Sequence, residues 1–577
     1  DEAVKESPED AVKESPEEAA DTPDKPTDSS LPTVCQESDI SENGMKVCDL
    51  GTDGGTVLLI KQNGKIYAIG THCTHSEAPL ETGALGNGRV RCPWHGACFN
   101  IKTGDIEDFP GLDSLPSYKV EIDSLGGVKV HAKKTYLKRI KNMSRRDPNN
   151  DTTFVIIGGG PAGQVCAETL RQEGFTGRLI LVSADLFPPY DRIKLSKNFG
   201  FTIDQIKLRP DAFYKEYDIE LILSTKAVNL DTKQKLLTLS NEKKLNYSSL
   251  FIATGSIPRK LTVPGSDLRN IFTLHSLSDA KEINKVLTSK SQVVILGASF
   301  IGMEAATCCK RVCSEGSVTV VGRNAVPFSE SLGELVGKRI GQMFTEQGVK
   351  ILVNVTIDHL EGDGTTVTTV VLTDGTSIPA DVVIVGIGSI YDSDFLINSG
   401  VALNENGSIP VSKFLETNCA GIFAGGDVAQ APVFAAGGKS VTVAHWGLAH
   451  YHGRIAALNM MSQAAPLKSV PFFWTSLFGK SFRYVDMLVN IFTGSKRLKI
   501  IYICDGVRHH APFSLLFTFE YSTTARVWFG NSVQVNFQSS KLPSTLLKLI
   551  GQSISFLDIL LFMDGYSKYT AARKRSR

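Results

Sequence analysis

Two short motifs near the amino-terminal end of the chain combine cysteine with histidine at metal-ligand spacing. The first is Cys73-Thr-His75 and the second is Cys92-Pro-Trp-His95, so that each supplies one thiol and one imidazole. Two thiolates with two imidazoles can hold a structural zinc ion. The same donors suit a [2Fe–2S] centre in which two cysteines hold one iron and two histidines hold the other. The residues alone predict a metal site at these four positions and leave both metals open.

A glycine-rich segment in the middle of the chain has the spacing of a nucleotide-binding turn. The turn contains Gly158, Gly160 and Gly163. It follows the apolar run Val155–Ile157 and opens the helix-like stretch Val165–Leu170. A strand that ends in such a turn presents backbone N–H groups and a helix N-terminus to a pyrophosphate. The segment therefore predicts a dinucleotide site.

The same pattern occurs a second time. Gly297, Ser299 and Gly302 follow the apolar run Gln292–Leu296, and a strand-like run, Ser317–Val321, comes next. Ser299 stands where the middle glycine is expected, and it is small enough to allow fairly close approach of a phosphate. A second βα nucleotide unit is therefore predicted inside the first.

The residue after this second strand bears on the choice of coenzyme. An acid usually binds the ribose 2′-hydroxyl at this point, but the chain has Gly322 and then Arg323. An arginine there could pair with a 2′-phosphate. NADH and NADPH both stay open as electron donors.

Several other polar residues could hold a flavin dinucleotide around these turns. Asp185 follows the strand-like run Arg178–Val182 and could bind an adenosine ribose hydroxyl, or it could be an ordinary loop acid. Arg192 and Lys197 could hold the pyrophosphate charge and the flavin edge. The remaining candidates follow two apolar runs and are Thr254, Gly255, Gly426 and Asp427.

As a set, these motifs resemble two known families. Residues 34–132 resemble Rieske [2Fe–2S] ferredoxin domains, because Cys92–Phe99 followed by Thr103-Gly-Asp105 is similar to a cluster-binding loop. Residues 153–465 resemble the flavoproteins with two dinucleotide-binding domains. Pro189–Arg192 with Leu195–Lys197 is similar to the branch of ferredoxin reductases and apoptosis-inducing factors.

The resemblance implies a multidomain fold: an all-β Rieske domain, two α/β Rossmann-like domains for FAD and NAD(P), and a C-terminal α+β domain. The similarity weakens beyond about Tyr484. The predicted segments are a disordered acidic tail (1–33), the Rieske domain (34–132), a basic linker (133–152), an FAD domain in two parts (153–271 and 398–465), an NAD(P) domain (272–397) and the C-terminal domain (466–577). We expect the linker to be an exposed tether that lets the Rieske domain move.

The resemblance also implies a function. Electrons would pass from NAD(P)H through FAD to the Rieske cluster and on to an unknown acceptor. It places Lys197, Glu304 and Trp446 around the flavin as positioning residues. A redox-sensing, pro-apoptotic signalling protein is the alternative, and a reductase partner for a separate oxygenase is a third interpretation.

Composition sets outer bounds on these interpretations. The net charge of +1 over 577 residues gives no overall attraction to nucleic acid, and no apolar run is long enough to span a membrane. Eleven cysteines without a signal-like start indicate an intracellular protein with reduced or metal-bound thiols, in the cytoplasm or in mitochondria. Because the chain begins at Asp1, we expect that a presequence could have been removed. The sequence leaves open whether the protein forms a homodimer.

Overall fold

The computed structural model describes most of the chain. The described residues are 31–51, 54–132, 135–433, 438–469, 471–490, 495–505, 513–519, 523–529 and 533–537. The predicted acidic tail lies almost wholly outside them, and so do the last forty residues of the predicted C-terminal domain, 538–577. None of the helices in the described part is both long enough and apolar enough to cross a bilayer.

The N-terminal part is all β, as the resemblance to Rieske domains implied. Its strands are β1 (Thr33–Gln36), β2 (Met45–Asp49), β3 (Thr56–Gln62), β4 (Lys65–Ile69), β5 (Ala84–Gly86), β6 (Arg89–Arg91), β7 (Cys98–Asn100), β8 (Ile106–Asp108), β9 (Ser117–Ile122) and β10 (Gly127–His131). One antiparallel sheet has the order β1-β10-β9-β4-β3-β2, and a smaller one contains β5 to β8. Cys73 and Cys92 are both buried in a core built from the two sheets.

The chain then enters the first α/β unit. Its strands are β11 (Thr153–Ile157), β12 (Arg178–Val182), β13 (Ile219–Ile222), β14 (Ala227–Asp231), β15 (Leu236–Leu239), β16 (Lys244–Asn246) and β17 (Ser249–Ile252). β14, β15 and β16 form a separate antiparallel sheet. The apolar run before the first glycine turn is therefore a strand.

A second α/β unit interrupts the first. Its strands are β18 (Ile257–Pro258), β19 (Ile271–Thr273), β20 (Gln292–Leu296), β21 (Ser317–Gly322), β22 (Lys350–Val353), β23 (Ile357–Gly362), β24 (Val367–Leu372), β25 (Ser377–Pro379), β26 (Val382–Val385) and β27 (Ser389–Ile390). Five of them form a parallel sheet in the order β19-β26-β20-β21-β22. β18 pairs with β27 where the chain enters and leaves this unit. The predicted boundary at 271/272 falls inside β19, a strand of this second unit, and the one at 397/398 falls after β27.

The chain returns to the first unit after this insertion. The strands here are β28 (Ile409–Pro410), β29 (Ile422–Ala424), β30 (Ala429–Val433) and β31 (Lys439–Val441). β29 pairs in parallel with β17 and completes the five-stranded sheet β13-β12-β11-β17-β29. Two segments that are distant in the sequence therefore build one sheet. The buried residues of β11 and β12 form part of the hydrophobic core around it.

The helices lie mainly in the two α/β units. They are α1 (Pro161–Gln172), α2 (Ile203–Ile206), α3 (Asp211–Glu216), α4 (Leu277–Val286), α5 (Phe300–Val312), α6 (Ser329–Leu332), α7 (Glu334–Glu346) and α8 (Trp446–Met460). Short 3₁₀ turns cover Glu37–Asp39, Leu80–Thr82, Arg192–Ser196 and Asp394–Leu396. α1 and α5 begin at the first and second glycine turns, which is where a pyrophosphate would meet a helix N-terminus.

The described part of the C-terminal segment is a single antiparallel sheet. Its strands, in sheet order, are β32 (Phe472–Leu477), β33 (Lys480–Asn490), β34 (Ser495–Asp505), β35 (Phe513–Phe519), β36 (Thr523–Phe529) and β37 (Val533–Phe537). Within the described residues this is the strand component of the predicted α+β domain.

The basic linker lies against both neighbouring domains. On the Rieske side, Arg139 forms an ion pair with Asp105, and Ser114 exchanges two backbone hydrogen bonds with Arg139 at 2.8 and 2.7 Å. On the other side, the Ser144 hydroxyl donates to the backbone carbonyls of Arg171 and Phe175 at 3.0 and 2.9 Å. The structure therefore differs from the expected free tether, because linker side chains and backbone are held on two surfaces.

Candidate functional site

A cavity of about 660 Å³ opens among the first glycine turn, the start of α5, the start of α8 and strand β32. This size is typical of cofactor-binding pockets. The predicted site residues in its wall are Gly158, Gly160, Asp185, Arg192, Thr254, Gly255, Glu304, Gly426, Asp427 and Trp446. Those outside the wall are Gly163, Lys197, Gly297, Ser299, Gly302 and Arg323.

The first glycine turn has the geometry of a phosphate cradle. Gly158 has a φ of +118°, and a Cβ there would lie 2.1 Å from the Ala253 carbonyl oxygen. A Cβ on Gly163 would lie 1.9 Å from the Gly158 oxygen, so α1 approaches the turn as closely as glycine allows. A Cβ on Gly160 would meet nothing within 4 Å, because this N-cap residue borders the open cavity. The turn therefore fits an FAD pyrophosphate.

Two polar groups lie at the carboxyl ends of the neighbouring parallel strands β17 and β29. Asp427 accepts a hydrogen bond from the Ser256 hydroxyl at 2.9 Å, and desolvation raises the pKa of its carboxyl group. The Thr254 hydroxyl is buried and has no hydrogen-bond partner among the described residues. Buried polar groups normally have partners, so this hydroxyl and Asp427 fit the polar part of a bound flavin.

Asp185 and Arg192 face each other across the cavity wall. The Asp185 carboxylate accepts from the Tyr190 hydroxyl at 2.7 Å and from Arg192 at 3.2 Å. Arg192 also contacts the His275 ring, whose pKa is lowered to about 4, first by burial and then by the Arg192 charge. The Oδ2 atom of Asp185 accepts both the Tyr190 and the Arg192 hydrogen bond. Asp185 therefore orients Arg192.

Glu304 joins three elements at the cavity. Its carboxylate pairs with Lys197 and accepts hydrogen bonds from Ser196 and Thr475, so that α5, the 3₁₀ turn Arg192–Ser196 and β32 meet there. Desolvation lowers the pKa of Lys197, and the Glu304 charge opposes that shift. Glu304 reaches the cavity wall while Lys197 supports it from behind.

The second glycine turn repeats the geometry of the first. Gly297 has a φ of +119°, and its Cβ would lie 2.2 Å from the Gly386 oxygen. A Cβ on Gly302 would lie 1.9 Å from the Gly297 oxygen, and Ser299 is the N-cap of α5. These residues fit a second pyrophosphate, outside the first cavity.

Arg323 follows the end of β21 at the surface. Its guanidinium pairs with Glu330 at 3.0 Å, and the two side chains are 78% and 68% exposed. Asn324 donates to the same carboxylate at 3.0 Å. Part of the Arg323 charge is therefore offset before any coenzyme binds.

The four candidate metal ligands converge as two pairs. The Cys73 and Cys92 thiols lie within hydrogen-bond distance, and the pKa of the Cys73 thiol is raised, first by that bond and then by burial. The His75 and His95 rings lie 4.9 Å apart at 83°, and burial lowers the pKa of His75 to about 4. Within the described residues, no three His, Cys, Asp or Glu side chains surround one ion position, but each iron of a [2Fe–2S] centre needs only two protein ligands.

Trp474 on β32 connects the metal site with the cavity. Trp474 is one of the residues that line the cavity, and its ring centroid lies 4.8 Å from that of His95 and 5.9 Å from that of His75. Sequence reasoning did not single out Trp474 as a site residue. Its aromatic type and position next to Phe473 gave no signal of which partner it meets.

A buried charge cluster holds the N-terminal domain against α1. Arg209 pairs with Asp113 of that domain and with Glu168 of α1, the latter through two bonds of 2.9 Å. The three side chains are 4%, 10% and 3% exposed. Beside this cluster, the Tyr451 hydroxyl donates to Asp108 at 2.8 Å. Sequence reasoning missed these contacts, because nothing in the sequence around each residue indicates which distant residue it meets.

Comparison with known proteins agrees with this architecture. Residues 152–453 match the family described as pyridine nucleotide-disulphide oxidoreductase, and residues 30–119 match the Rieske [2Fe-2S] domain. The chain belongs to the pyridine nucleotide-disulphide oxidoreductase family. Apoptosis-inducing factor 3 from Mus musculus is 41% identical over 467 residues, or 80% of this chain and 76% of that protein. The human protein of the same name is equally similar.

Bacterial reductases match the reductase part of this oxidoreductase chain. The ferredoxin–NAD(+) reductase component of the biphenyl dioxygenase system from Paraburkholderia xenovorans is 30% identical, covering 57% of this chain and 79% of that protein. The crystal structure of the ferredoxin reductase for the CYP199A2 system from Rhodopseudomonas palustris has a TM-score of 0.57 at 26% identity, covering 67% and 91%.

Membership of this family confirms the predicted fold class, the oxidoreductase class and the cofactors. The protein is an NAD(P)H-dependent oxidoreductase that uses FAD, and its Rieske domain carries a [2Fe–2S] cluster. For the metal that the four ligands left open, the domain match decides for the Rieske cluster.

Proposed function

We propose that the protein takes a hydride from NAD(P)H and delivers the electrons, one at a time, to the Rieske cluster of the same chain and then to an acceptor outside it. The observation that carries the proposal is the position of the histidine pair. His75 and His95 lie against Trp474 in the wall of the flavin cavity, so the cluster and the flavin are neighbours within one molecule.

Each residue set has a separate task in this scheme. A bound flavin supplies the exchange between two-electron nicotinamide chemistry and one-electron cluster chemistry. Gly158, Gly160 and the N-terminus of α1 hold the pyrophosphate, while Thr254 and Asp427 bind hydroxyl groups. Other residues orient the reactants, and they are Glu304, Lys197 and Trp446. Orientation, rather than acid–base chemistry, is the contribution of these side chains.

The cluster ligands follow the two pairs seen in the structure. Cys73 and Cys92 hold one iron, and His75 and His95 hold the other. The thiols must lose their protons when the cluster is inserted. The cysteine pair lies in the domain core, and the histidine pair faces the reductase part.

Arg323 is the residue that bears on the choice between the two coenzymes. Its pairing with Glu330 offsets the charge that would attract a 2′-phosphate. We therefore expect both NADH and NADPH to reduce the protein, with NADH bound at least as tightly.

A signalling role is the second candidate, because two relatives that match 80% of this chain bear the name apoptosis-inducing factor 3. In that case the reduced protein would persist and change partners, and turnover would be incidental. A cytoplasmic or mitochondrial site fits either role.

One set of anaerobic absorption spectra tests the proposal. The purified protein is recorded before and after addition of NADH and, separately, of NADPH. We expect flavin bands and Rieske bands, both bleached by the coenzyme, followed by rapid recovery when ferricyanide is added. A flavin that bleaches while the cluster stays oxidised would contradict the electron route. Bleaching of both with negligible turnover would favour the signalling role.

A further inference from the structure

Two cysteines of the N-terminal domain lie at the two edges of its larger sheet. Cys35 belongs to β1 and Cys48 to β2, and these strands are the first and the last in the order β1-β10-β9-β4-β3-β2. The sheet curls, so that Cα atoms of one edge strand lie within 8 Å of Cα atoms of the other. Both cysteines pack into the same hydrophobic core. They are therefore neighbours across the seam where the curled sheet meets itself.

The two thiols are close together and differ in exposure. They lie within hydrogen-bond distance of each other. Cys35 is partly exposed, whereas Cys48 is only 5% exposed. Burial, followed by the neighbouring Cys35 thiol, raises the pKa of Cys48 to about 12. A reagent in solvent can therefore reach Cys35 directly, while Cys48 is shielded from it.

This pair is separate from the cluster ligands. Cys73 and Cys92 belong to a different hydrophobic core of the same domain, and their thiols meet each other there. None of the described residues in the core around Cys35 and Cys48 is assigned to the cluster, to FAD or to the coenzyme. A chemical change at the seam therefore leaves the redox sites intact.

We propose that Cys35 and Cys48 form a reversible disulfide, which closes the sheet of the Rieske domain when the surrounding thiol pool is oxidising. Disulfides inside cells are usually transient and redox-sensing, in contrast to those of secreted proteins. The oxidant is a low-molecular-weight disulfide such as glutathione disulfide. In reducing surroundings the pair stays as two thiols, and packing alone holds the seam.

The reaction is a thiol–disulfide exchange in two steps. The Cys35 thiolate attacks one sulfur of glutathione disulfide: a bond between Cys35 and glutathione forms, the original S–S bond breaks, and one glutathione leaves with the proton that Cys35 gave up. The Cys48 sulfur then attacks the Cys35 sulfur, and the second glutathione leaves with the Cys48 proton. The two protein thiols lose two electrons in total, and glutathione disulfide gains them.

The new bond would connect strands that are otherwise at opposite ends of the sheet. β1 pairs with β10, with an irregular register between Thr33 and Cys35, and β2 pairs with β3. A cross-link restricts the unfolded chain and thereby stabilises the folded one. The oxidised Rieske domain should therefore lose its cluster at a higher temperature than the reduced domain.

The experiment treats the unaltered holoprotein with glutathione disulfide, followed by acid quenching, alkylation and peptide mass spectrometry. We expect a product that links the Cys35 peptide to the Cys48 peptide, and recovery of both thiols when reduced glutathione is added. Cluster absorption is recorded throughout, so that the ligand thiols are accounted for. Cys419 is the internal control: it is partly exposed, its sulfur donates to the Gly400 carbonyl at 3.4 Å, and it should take up glutathione without a protein partner.

Two variants separate the steps of the exchange. Cys48→Ser should stop after the first step, with Cys35 joined to glutathione, and Cys35→Ser should keep Cys48 as a free thiol. Loss of cluster absorption on heating measures the effect on the domain. We expect the oxidised unaltered protein to exceed its own reduced form by at least about 5 °C, and neither variant to show this difference.

Three outcomes would overturn the inference. The first is that Cys35 and Cys48 are free, or that Cys35 is held by glutathione, in the unaltered protein after full reaction of Cys419. The second is a link between the two cysteines that forms only after unfolding in urea. The third is a linked protein that loses its cluster at the same temperature as the reduced one. None of these measurements depends on electron transfer, so they are independent of the proposed function.

Discussion

At the scale of single residues, mutation can distinguish the two proposed ligand thiols from a nearby thiol that has different neighbours. Cys92 lies beside Cys73, whereas Cys98 on β7 is buried close to Arg91 and Tyr451. We predict that Cys92→Ser removes the cluster absorption and the bound iron. FAD binding and flavin reduction by NADH should persist, because the flavin cavity is formed by other elements.

Cys98→Ser is the control for this prediction. It changes a thiol near the same loop and should keep iron and cluster absorption at the level of the unaltered protein. Iron content and visible spectra of both variants are measured after identical reconstitution. Retention of the cluster in Cys92→Ser, or its loss in Cys98→Ser, would refute the ligand assignment.

A buried histidine gives the stability of the fold a defined pH dependence. The Nδ1 atom of His452 accepts from the Gly426 N–H at 3.0 Å, and burial lowers the pKa of the ring from 6.5 to about 4. Between these two pH values the unfolded chain binds more protons than the folded one. This group therefore contributes fully above pH 6.5, and its contribution, about 3 kcal/mol, is lost as the pH falls toward 4.

We predict that His452→Asn, which keeps an acceptor for Gly426, reduces the fall in unfolding midpoint between pH 7 and pH 5. His359→Asn is the control: this side chain is only partly buried, and Asp358 raises its pKa, so its small contribution is lost as the pH rises. Thermal unfolding at both pH values measures the difference. An equal fall in His452→Asn and the unaltered protein would contradict the burial argument.

The role of a residue could be predicted from the sequence where a single short motif contains all the residues involved. The thiol–imidazole pairs at Cys73 and Cys92 and the glycine turn at Gly158 are of this kind. Trp474 and Arg209 were not readable, because their roles come from partners that are far away in the sequence and approach only through the docking of domains.

At the scale of elements, the contact between α1 and α8 depends on glycine. A Cβ on Gly453 of α8 would lie 2.2 Å from the Ala162 carbonyl oxygen of α1, a backbone atom that cannot rotate away. We predict that Gly453→Ala lowers the free energy of unfolding by about 1–3 kcal/mol, the usual cost of overpacking. It should also weaken FAD binding, because α1 forms one side of the pyrophosphate turn.

Gly341→Ala tests whether any added methyl group on a helix has this effect. Gly341 lies on α7, and its Cβ would meet only ordinary contacts, with Pro327 at 3.7 Å. Denaturant unfolding and FAD titration of the two apoproteins give the comparison. Equal stability and FAD affinity in both variants would show that the helices can separate without loss.

Elements were predictable where the periodicity was local. Both βα units were expected from apolar runs that end in glycine turns. The order of strands in the sheet was harder to predict, because β29 pairs with β17 although the whole second unit lies between them in the sequence. The pairing of β29 with β17 joins residues that are far apart in the sequence, and no local pattern marks them as partners.

At the scale of the whole molecule, Arg209 holds the Rieske domain on the reductase part. Its guanidinium lies between two carboxylates, Asp113 and Glu168, and all three side chains are largely buried. Removing one partner of a buried ion pair typically costs about 3–5 kcal/mol, because the opposite charges stay buried. We predict that Arg209→Met loosens the domain contact and slows cluster reduction, while NADH still reduces the flavin.

Lys46→Met is the control for the loss of charge. Lys46 pairs with Asp39 at 3.0 Å on the exposed surface of the Rieske domain, where such pairs contribute little. Small-angle scattering and limited proteolysis of both variants report docking. An Arg209→Met protein with an unchanged scattering profile and an unchanged rate of cluster reduction would show that the buried cluster does not hold the domains together.

Docking has a consequence for how electrons travel. With the Rieske histidines held at Trp474, the flavin and the cluster of one chain are neighbours, and no encounter between two molecules is required. Anaerobic stopped-flow mixing with NADH, repeated over a wide range of protein concentrations, measures this directly. We predict a rate constant for cluster bleaching that is the same at every concentration. A rate that rises in proportion to protein concentration, or a cluster that stays oxidised after the flavin is reduced, would contradict the account.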